Sequence, residues 1–553
     1  LENGEWTNRG LGYIDNLTKL GYELFAYKGK RDQTEGYILL RTPIEKLRAF
    51  ADNIDMSLLL DSEEVAKQLA AGDPENNIGP AEIAHVPEVT KYFPYEYIYG
   101  KYSKSIDEKL YWRENGAETP FRELIRLKLC ALILESRPPR REPDGRIVPG
   151  ENLKIRRYLR NGWMKGVFPL HDRVKTELID FKMKFYPKQS LPLDDMKEYF
   201  GEKIGLYFGF TEHYTRWLLA PAIIGFPLQI AVFALNDYDL AVLPFYSIFI
   251  ALWAVFMLEF WKRKEKYIAL KWGTLGFEET EVDRPDFKGE FIKSFIDGSN
   301  IRYFPSRQRN LLLAQSFMGI ITLILLVTGV VVSIYVIRYA IAGDVGDSNA
   351  QTIASIANAV QIQIVNYLYS LLANALSERE NHRTNTEYED SMITKIFLFQ
   401  FVNSYASFFY LAFVAENLGD CPENGCMSLL AINLAIIFGS RLLTGNLLEL
   451  LLPYLSYQYK YRTQILVHGD ALSRPEKEYM LDPYDGISSS LEDYAEVAIQ
   501  FGYMSLFVTA LPIAGLFACF SSLVEIKGDT WKLTNLHQRP FPKGAEDIGM
   551  WQT

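Results

Sequence analysis

Six long apolar runs in the second part of the sequence limit the folds that are open to this chain. They are Trp217–Leu235, Leu240–Trp261, Leu311–Ile337, Ile353–Leu376, Ile396–Val414 and Met427–Leu452. A helix needs about 20 predominantly apolar residues to cross a bilayer, and these runs meet that requirement. Because lipid offers no water to satisfy the backbone, such runs form helices that hydrogen-bond within themselves. We therefore predict an α-helical multi-pass membrane protein whose membrane domain comprises residues 196–553.

Acidic residues recur at helical spacing near the end of the chain. Asp493 and Glu496 are three residues apart in one short apolar segment, and Glu525 and Asp529 are four apart in the next. Side chains at these spacings share one face of a helix. A fifth acid, Glu449, lies near the end of the sixth run. The spacing predicts that each of the two short helices presents a pair of carboxylates from one side.

These acids indicate a metal site. An acid at the centre of a membrane helix costs roughly 2.5–3.5 kcal/mol, and no run of Lys or Arg in the nearby sequence offsets that cost. Ca²⁺ takes 6–8 oxygen ligands, many of them carboxylates, and two ions would nearly neutralise the cluster. We predict that two calcium ions bind at Glu449, Asp493, Glu496, Glu525 and Asp529. The alternative is a set of separate interfacial acids that reach water.

The two acid-bearing segments are too short to cross the membrane twice. The sequence holds 28 residues between Glu496 and Glu525, whereas two crossings need about 40. We therefore predict a re-entrant hairpin of seventh and eighth helices, which holds both acid pairs at a similar depth.

Charges at the ends of the runs indicate the orientation, because Lys and Arg concentrate on the cytosolic side of membrane proteins. One set of ends carries Lys262, Arg263, Lys264, Lys266, Arg302, Arg307, Arg309, Arg379, Arg383, Lys395, Lys460 and Arg462. The other set carries Asp237, Asp239, Asp344, Asp347, Glu416, Asp420 and Glu423. This alternation predicts a cytosolic N-terminus and calcium loading from the cytosol. The loop of Cys421 and Cys426 is then luminal or extracellular, where a disulfide is possible.

Residues 1–195 differ from the rest in composition and predict a cytosolic α+β domain. Helix-like and strand-like segments alternate over the first 54 residues, a pattern that suggests a ferredoxin-like fold. A linker rich in Pro and charge follows at residues 137–152. The net charge of −10 argues against a nucleic-acid partner. The chain begins at Leu1 without a signal peptide, and we expect it to be a trimmed form of a longer protein.

A polar, uncharged stripe follows the fourth apolar run. Its members are Thr352, Ser355, Gln363, Asn366, Ser370, Asn374 and Ser377. Their spacing keeps them on one helix face. Asn403, Ser404 and Ser407 on the fifth run, and Asn433, Ser440 and Thr444 on the sixth, are candidates to face this stripe. We predict a hydrophilic, water-filled groove between these helices; the alternative is a packing seam, since small and polar residues also join membrane helices.

Gly439 lies ten residues before Glu449 in the sixth run. Glycine in a helix interior costs about 1 kcal/mol relative to alanine. We predict a gating hinge at Gly439, with close packing as the alternative.

Several motifs together resemble the anoctamin family. They are YFGEKIGLYFGFTEHYTRWLLAP, FPLHD, EFWKRKE, FVNSYASFFYLAF and RPFPKGAEDIGMW, and the resemblance runs from about Phe168 to the end. It implies calcium-activated phospholipid scrambling or ion conduction, calcium ligands at the five acids above, and a homodimer. One departure is Gly445, where many members carry Asn. The family also has two further helices after the DIGMW motif, which the 553 residues do not include.

Two functions follow from these predictions. The first is a calcium-activated phospholipid scramblase with an accompanying non-selective ion conductance. The second is a calcium-activated chloride channel, which should place basic residues at mid-membrane. The fourth run has none and the sixth has only Arg441, so the sequence favours scrambling. A membrane tether without transport is disfavoured by the five acids, and no nucleophile, base or nucleotide loop suggests an enzyme. The sequence leaves plasma membrane and endoplasmic reticulum both open.

Overall fold

The structure is a computed structural model. It describes residues 6–30, 32, 34–61, 64–65, 98–106, 108–114, 117–135, 140–141, 147–148, 155–238, 240–278, 281, 283–284, 286–293, 300–417, 421, 425–442, 446–468, 472–484 and 488–552.

The N-terminal part combines short helices with antiparallel pairs of strands. Its helices are α1 (Asn8–Lys19), α2 (Ile44–Asn53), α3 (Glu123–Glu135) and α4 (Ile155–Arg160). Its strands are β1 (Glu23–Lys28), β2 (Gly36–Arg41), β3 (Ser57–Leu59), β4 (Tyr99–Lys101), β5 (Arg140–Arg141) and β6 (Ile147–Val148). β1 pairs with β2, β3 with β4 and β5 with β6. Within the described residues these are separate two-stranded sheets, so the predicted ferredoxin-like sheet is not confirmed.

Two helices connect this part to the membrane helices. α5 (Arg173–Met183) begins at Asp172, whose carboxylate accepts from the backbone N–H groups of Val174 and Lys175. Such a cap satisfies backbone donors that the first helical turn leaves without a partner. α6 (Leu193–Phe200) ends at Gly201, where a positive φ of 100° turns the chain into the first long helix.

Long helices dominate the rest of the chain. They are α7 (Glu202–Leu235), α8 (Leu243–Trp272), α9 (Ser306–Val345), α10 (Asp347–Arg379), α11 (Asn385–Phe409), α12 (Cys426–Ser440), α13 (Asn446–His468), α15 (Ser488–Phe507) and α16 (Ala514–Asn535). A strand pair, β7 (Glu290–Lys293) and β8 (Asn300–Tyr303), lies between α8 and α9, and the short α14 (Arg474–Tyr479) lies between α13 and α15. The predicted helical membrane architecture agrees with this arrangement.

Four of the described helices are long and apolar enough to cross a bilayer. They are Glu202–Leu235, Leu243–Trp272, Ser306–Arg338 and Asn385–Val414. α10 has 33 residues, but its Asn, Gln and Ser side chains make it less apolar than those four. α15 and α16 have 20 and 22 residues, so they are longer than the short helices predicted from their apolar segments. The difference arises because α15 begins before its acid pair and α16 continues beyond Asp529.

The sixth apolar run is described in two helical parts. α-Helical hydrogen bonding ends at Ser440, and a π-helical turn follows at residues 441–442. The next described helix, α13, begins at Asn446, and residues 443–445 lie outside the described residues. Hydropathy is continuous across this region, so a single helix from Met427 to Leu452 remains a prediction.

Lys395 is buried in an ion pair. Its side chain is 1% exposed, and its ammonium lies 2.6 Å from the carboxylate of Glu380, which is fully buried. Ser377 and Ser391 also accept from this ammonium. The pair joins the end of α10 to α11, and the orientation that the charge pattern indicates remains a prediction.

The loop before α12 is closed by a disulfide. Cys421 and Cys426 are bonded to each other. The sequence allowed this bond, and the structure confirms it.

Candidate calcium site

α15 and α16 are held in place by polar contacts with each other and with α11. Tyr405 on α11 donates to the carbonyl of Ile499, and Tyr503 on α15 donates to the carbonyl of Ser404. Ser522 on α16 donates to Gln500 on α15. These buried hydrogen bonds fix the rotation of both helices, and therefore the direction of their acidic faces.

Tyr207 on α7 marks the point where the acids of α15 and α16 converge. Its hydroxyl lies 2.6 Å from a carboxylate oxygen of Asp529 and 3.5 Å from one of Glu525. Asp493 is near enough to interact electrostatically with the same hydroxyl. The structure thus brings two predicted ligands of α16 to one buried hydroxyl, with Asp493 of α15 within electrostatic range of it.

The remaining two predicted ligands are placed differently. Glu496 is exposed on α15, and Arg441 donates to its backbone carbonyl at 2.8 Å. The side chain of Glu449 lies outside the described residues. Its neighbour Leu450 packs against Gly528, where a Cβ atom would come within 3.1 Å of the leucine. Since Gly528 lies between Glu525 and Asp529, α13 passes close to the acidic face of α16.

Asp529 is 5% exposed and has partners on both carboxylate oxygens. Tyr207 donates to one oxygen, and the ammonium of Lys532 lies 2.8 Å from the other. His537, just after α16, is neutral near pH 7, because burial and the neighbouring Lys532 charge lower its pKa. Lys532 is therefore the cation that neutralises Asp529.

The predicted ligands suit a hard cation by their chemistry, although the described side chains are not arranged around a single point. Among the residues that the structure describes, no three His, Cys, Asp or Glu side chains are arranged to hold a metal ion. Asp493, Glu525 and Asp529 supply only oxygen donors, as Ca²⁺ prefers. The chemistry of the residues present therefore fits calcium, with Glu449 on a helix that contacts the same face.

A comparison with protein families decides the identity of the fold. The family model described as "Anoctamin: Calcium-activated chloride channel" matches residues 196–553. The chain belongs to the anoctamin family. This confirms the resemblance read from the sequence motifs, and the family includes calcium-activated scramblases and chloride channels.

Individual anoctamins are similar over much of the chain. Anoctamin-7 of Mus musculus is 29% identical over 98% of this chain and 72% of its own length. Anoctamin-10 of Mus musculus is 32% identical over 74% of this chain, and Anoctamin-10 of Homo sapiens is 31% identical over the same share. The matched segment spans 62% of the length of either Anoctamin-10.

The predicted groove residues do not all share one environment in this anoctamin. Asn403 on α11 donates to Asn366 on α10 at 2.8 Å and accepts from Gln361 at 2.9 Å. Asn358, also on α10, donates to Ser407 at 3.0 Å. These bonds form a polar seam between α10 and α11.

Other members of the predicted stripe lie outside this seam. Gln363 is exposed, Ser355 is buried, and the hydroxyls of Ser370 and Ser440 donate to carbonyls of their own helices. The side chain of Thr352, and Thr444 altogether, lie outside the described residues. Gln363 is thus the long polar side chain of the stripe that points away from α11.

Gly439 is the penultimate residue of α12. A Cβ atom built on it would meet no described atom within 4 Å. Within the described residues no close contact accounts for a glycine here, in contrast to Gly502, where a Cβ would lie 1.9 Å from the Tyr405 hydroxyl.

Sequence reasoning missed Tyr207 and Lys532. Tyr207 comes from a distant helix, and nothing in its local sequence signals a contact with Asp529. Lys532 carried a signal, because it lies three residues after Asp529 on the same helix. Only runs of basic residues were considered as a counter-charge for the acids, so this single ion pair was not predicted.

Proposed function

We propose that this anoctamin is a calcium-activated phospholipid scramblase that moves lipids between leaflets, with an accompanying non-selective ion conductance. The observation that carries the proposal is that Glu525 and Asp529 both lie at the Tyr207 hydroxyl, with Asp493 of the neighbouring helix within electrostatic range of it. A membrane protein that gathers three carboxylates from two helices needs a cation to balance them. Family membership supports calcium as that cation.

Glu449, Asp493, Glu496, Glu525 and Asp529 would hold the calcium, as two ions. When bound, calcium supplies positive charge that offsets the repulsion among these carboxylates. Asp493 is presented by α15, which is bonded to α11, and Glu525 by α16, which is bonded to α15, whereas Glu449 belongs to α13, which follows the π-helical turn after Ser440. The proposed response to calcium is therefore a movement of α13 toward α15 and α16, with Gly439 as the hinge.

The proposed lipid path follows the exposed side of α10. Gln363 offers a polar side chain there among exposed apolar neighbours such as Val360, Ile364 and Tyr367. A headgroup that leaves water needs hydrogen-bonding partners along its path, because an unpaired polar group in an apolar medium costs roughly 2–7 kcal/mol. We assign Gln363, with Thr352, Ser370, Ser440 and Thr444, to this path.

A chloride channel is the second candidate. Arg441 favours it, because this basic residue lies beside the site and bonds the α15 backbone at the Glu496 carbonyl. The family name, which includes calcium-activated chloride channels, supports the same candidate. Against it, α10 holds no Lys or Arg between Asp347 and Arg379, so an anion path along α10 would have no cation.

The orientation, assembly and compartment are proposed with the function. A cytosolic N-terminus is supported by the disulfide between Cys421 and Cys426, since disulfides persist on the luminal or extracellular side. Homodimer formation rests on the family alone. Plasma membrane and endoplasmic reticulum both remain compatible with these features.

Lipid flipping in liposomes tests the proposal. The purified chain should flip fluorescent phospholipids faster with calcium than with a chelator, and Glu449→Gln and Asp493→Asn should each raise the calcium concentration needed. Glu492→Gln, which removes an exposed acid next to Asp493, is the matched control and should keep the wild-type midpoint. Calcium-dependent chloride flux without lipid flipping would favour the channel. Unchanged midpoints in both ligand variants would refute the site.

A further inference from the structure

Lys532 lies against the carboxylate of Asp529, one of the proposed calcium ligands. The ammonium lies 2.8 Å from Oδ1, and the two side chains are 11% and 7% exposed. The other oxygen, Oδ2, is held by Tyr207. Both ends of this carboxylate are thus engaged by groups of the chain itself.

We infer that Lys532 is a built-in counter-ion that stands in for calcium at Asp529 and has to leave when calcium binds. This inference rests on the proposed calcium site. It makes Lys532 a positioning residue that sets the calcium concentration to which the site responds, rather than a ligand of the metal.

The chemistry of lysine supports displacement rather than sharing. An ammonium group has three donors and no acceptor, so it cannot coordinate a cation alongside Asp529. Its charge also opposes a divalent ion at contact distance. The Tyr207 hydroxyl differs, because its oxygen has lone pairs and no charge, and it can remain bonded to Oδ2.

The position of Lys532 suits such a movement. It lies one turn beyond Asp529, three residues before α16 ends at Asn535. A four-carbon stem with a strongly hydrated charge can turn toward water while its helix stays in place. Asp529 would then exchange the Lys532 ammonium for calcium, and its buried carboxylate would have a cationic partner throughout.

Lys532→Met tests the inference, because methionine keeps the unbranched stem and removes the charge. We expect the calcium Kd of the purified 553-residue chain, measured by calorimetric titration with calcium alone, to fall about fivefold, which corresponds to about 1 kcal/mol. Thermal unfolding supplies a second readout. The melting temperature in chelator should fall because the lost contact belongs to the calcium-free state, while the stabilisation by calcium should grow.

Two matched variants separate this role from general effects of charge and folding. Lys532→Arg keeps the cation, and its calcium Kd should not fall below the wild-type value. Lys527→Met removes an exposed lysine two residues before Asp529, on the opposite side of α16, and should leave the Kd near wild type.

The outcomes distinguish this inference from the function on which it rests. A wild-type chain that shows neither calorimetric binding nor thermal stabilisation by calcium would refute the calcium site itself. A wild-type chain that binds calcium, with an unchanged or raised Kd in a folded Lys532→Met variant, would overturn the role of Lys532 alone. An equal fall in Kd for Lys527→Met would also overturn it, because the effect would then come from net charge.

Discussion

Asn366 and Gln363 are three residues apart on α10, and their surroundings divide the predicted groove into two parts. Asn366 accepts from Asn403 in the seam with α11, whereas Gln363 is exposed. The sequence pattern placed both residues on one stripe, because a helical repeat predicts which residues share a face but not which helix packs against that face. The bonds of Asn366 agree with the alternative that the stripe is a packing seam. The lipid path remains a prediction, and it rests on Gln363.

Separate leucine substitutions should divide these two roles. Gln363→Leu should leave thermal stability and calcium binding near wild type. It should slow calcium-activated flipping, because a barrier to headgroup passage that is higher by about 2 kcal/mol lowers the rate about thirtyfold. Asn366→Leu should instead lower the melting temperature, because Asn403 loses a buried acceptor, a loss that costs about 1–3 kcal/mol. Flipping rates and melting curves on the same preparations check both. Normal flipping by a folded Gln363→Leu protein would remove Gln363 from the lipid path.

Individual side chains also show where sequence reasoning reaches its limit. Helical spacing was enough to place Glu525 and Asp529 on one side of α16, because both belong to the same helix. It could not supply Tyr207, whose contact depends on how α7 packs against α16. It also could not supply the burial of Lys395, which depends on its partner Glu380. The assignment of the acids as calcium ligands remains a prediction.

At the scale of elements, the π-helical turn after Ser440 matters most for the proposed mechanism. Apolar residues continue from α12 into α13, so hydropathy predicts one helix. Hydropathy could not predict the change from α-helical to π-helical hydrogen bonding at residues 441–442, because that change depends on the backbone and not on the apolar pattern. The predicted α+β character of the N-terminal part was accessible from local pattern, but the pairing of its strands was not. Pairing depends on contacts between distant segments, such as β3 with β4.

Gly439→Ala tests whether the end of α12 works as a hinge. Alanine fits without a clash, and it favours a continuous helix by about 1 kcal/mol. A two-state equilibrium between straight and bent helices should therefore shift about fivefold, which moves the calcium midpoint while the maximal flipping rate stays unchanged. The dose response of flipping in liposomes measures both quantities. A midpoint identical to wild type would leave Gly439 without a role in gating.

At the scale of the whole molecule, Arg539 connects parts that are far apart in the sequence. Its guanidinium donates to Glu123 on α3 at 2.5 Å and to the carbonyl of Tyr199 on α6 at 3.2 Å, and it lies 4.0 Å above the Tyr199 ring. Arg539 follows α16, so this contact ties the N-terminal part to the end of the acid-bearing helix pair. Lys175 on α5 also bonds Glu123. The predicted boundary between the two domains, at residues 195 and 196, remains a prediction. Because the contacts of Arg539 and Glu123 are polar and charged, we expect the stability of this junction to depend on charge.

The charge on Glu123 makes this junction sensitive to pH. Burial alone would raise the pKa of Glu123, but hydrogen bonds from Lys175 and Arg539 outweigh burial and hold it below its usual value. A carboxyl whose pKa is lowered on folding stabilises the protein above its unfolded pKa, and that stabilisation is lost as the pH falls through the folded value. Glu123→Gln should therefore lower the melting temperature at pH 7, and its difference from wild type should shrink below about pH 4, where a free glutamate protonates.

Arg539→Met should destabilise the protein by about 2–3 kcal/mol, less than a fully buried pair would lose because Glu123 is one-third exposed. Arg539→Lys should be intermediate, since lysine keeps the charge but not the planar fork that reaches both Glu123 and the Tyr199 carbonyl. None of these variants alters a calcium ligand, so the calcium Kd should stay at its wild-type value. Chemical denaturation at pH 7 and pH 4, together with calcium titration, checks both expectations. A variant that changes the Kd but not the stability would mean that Arg539 acts on the calcium site rather than on the junction.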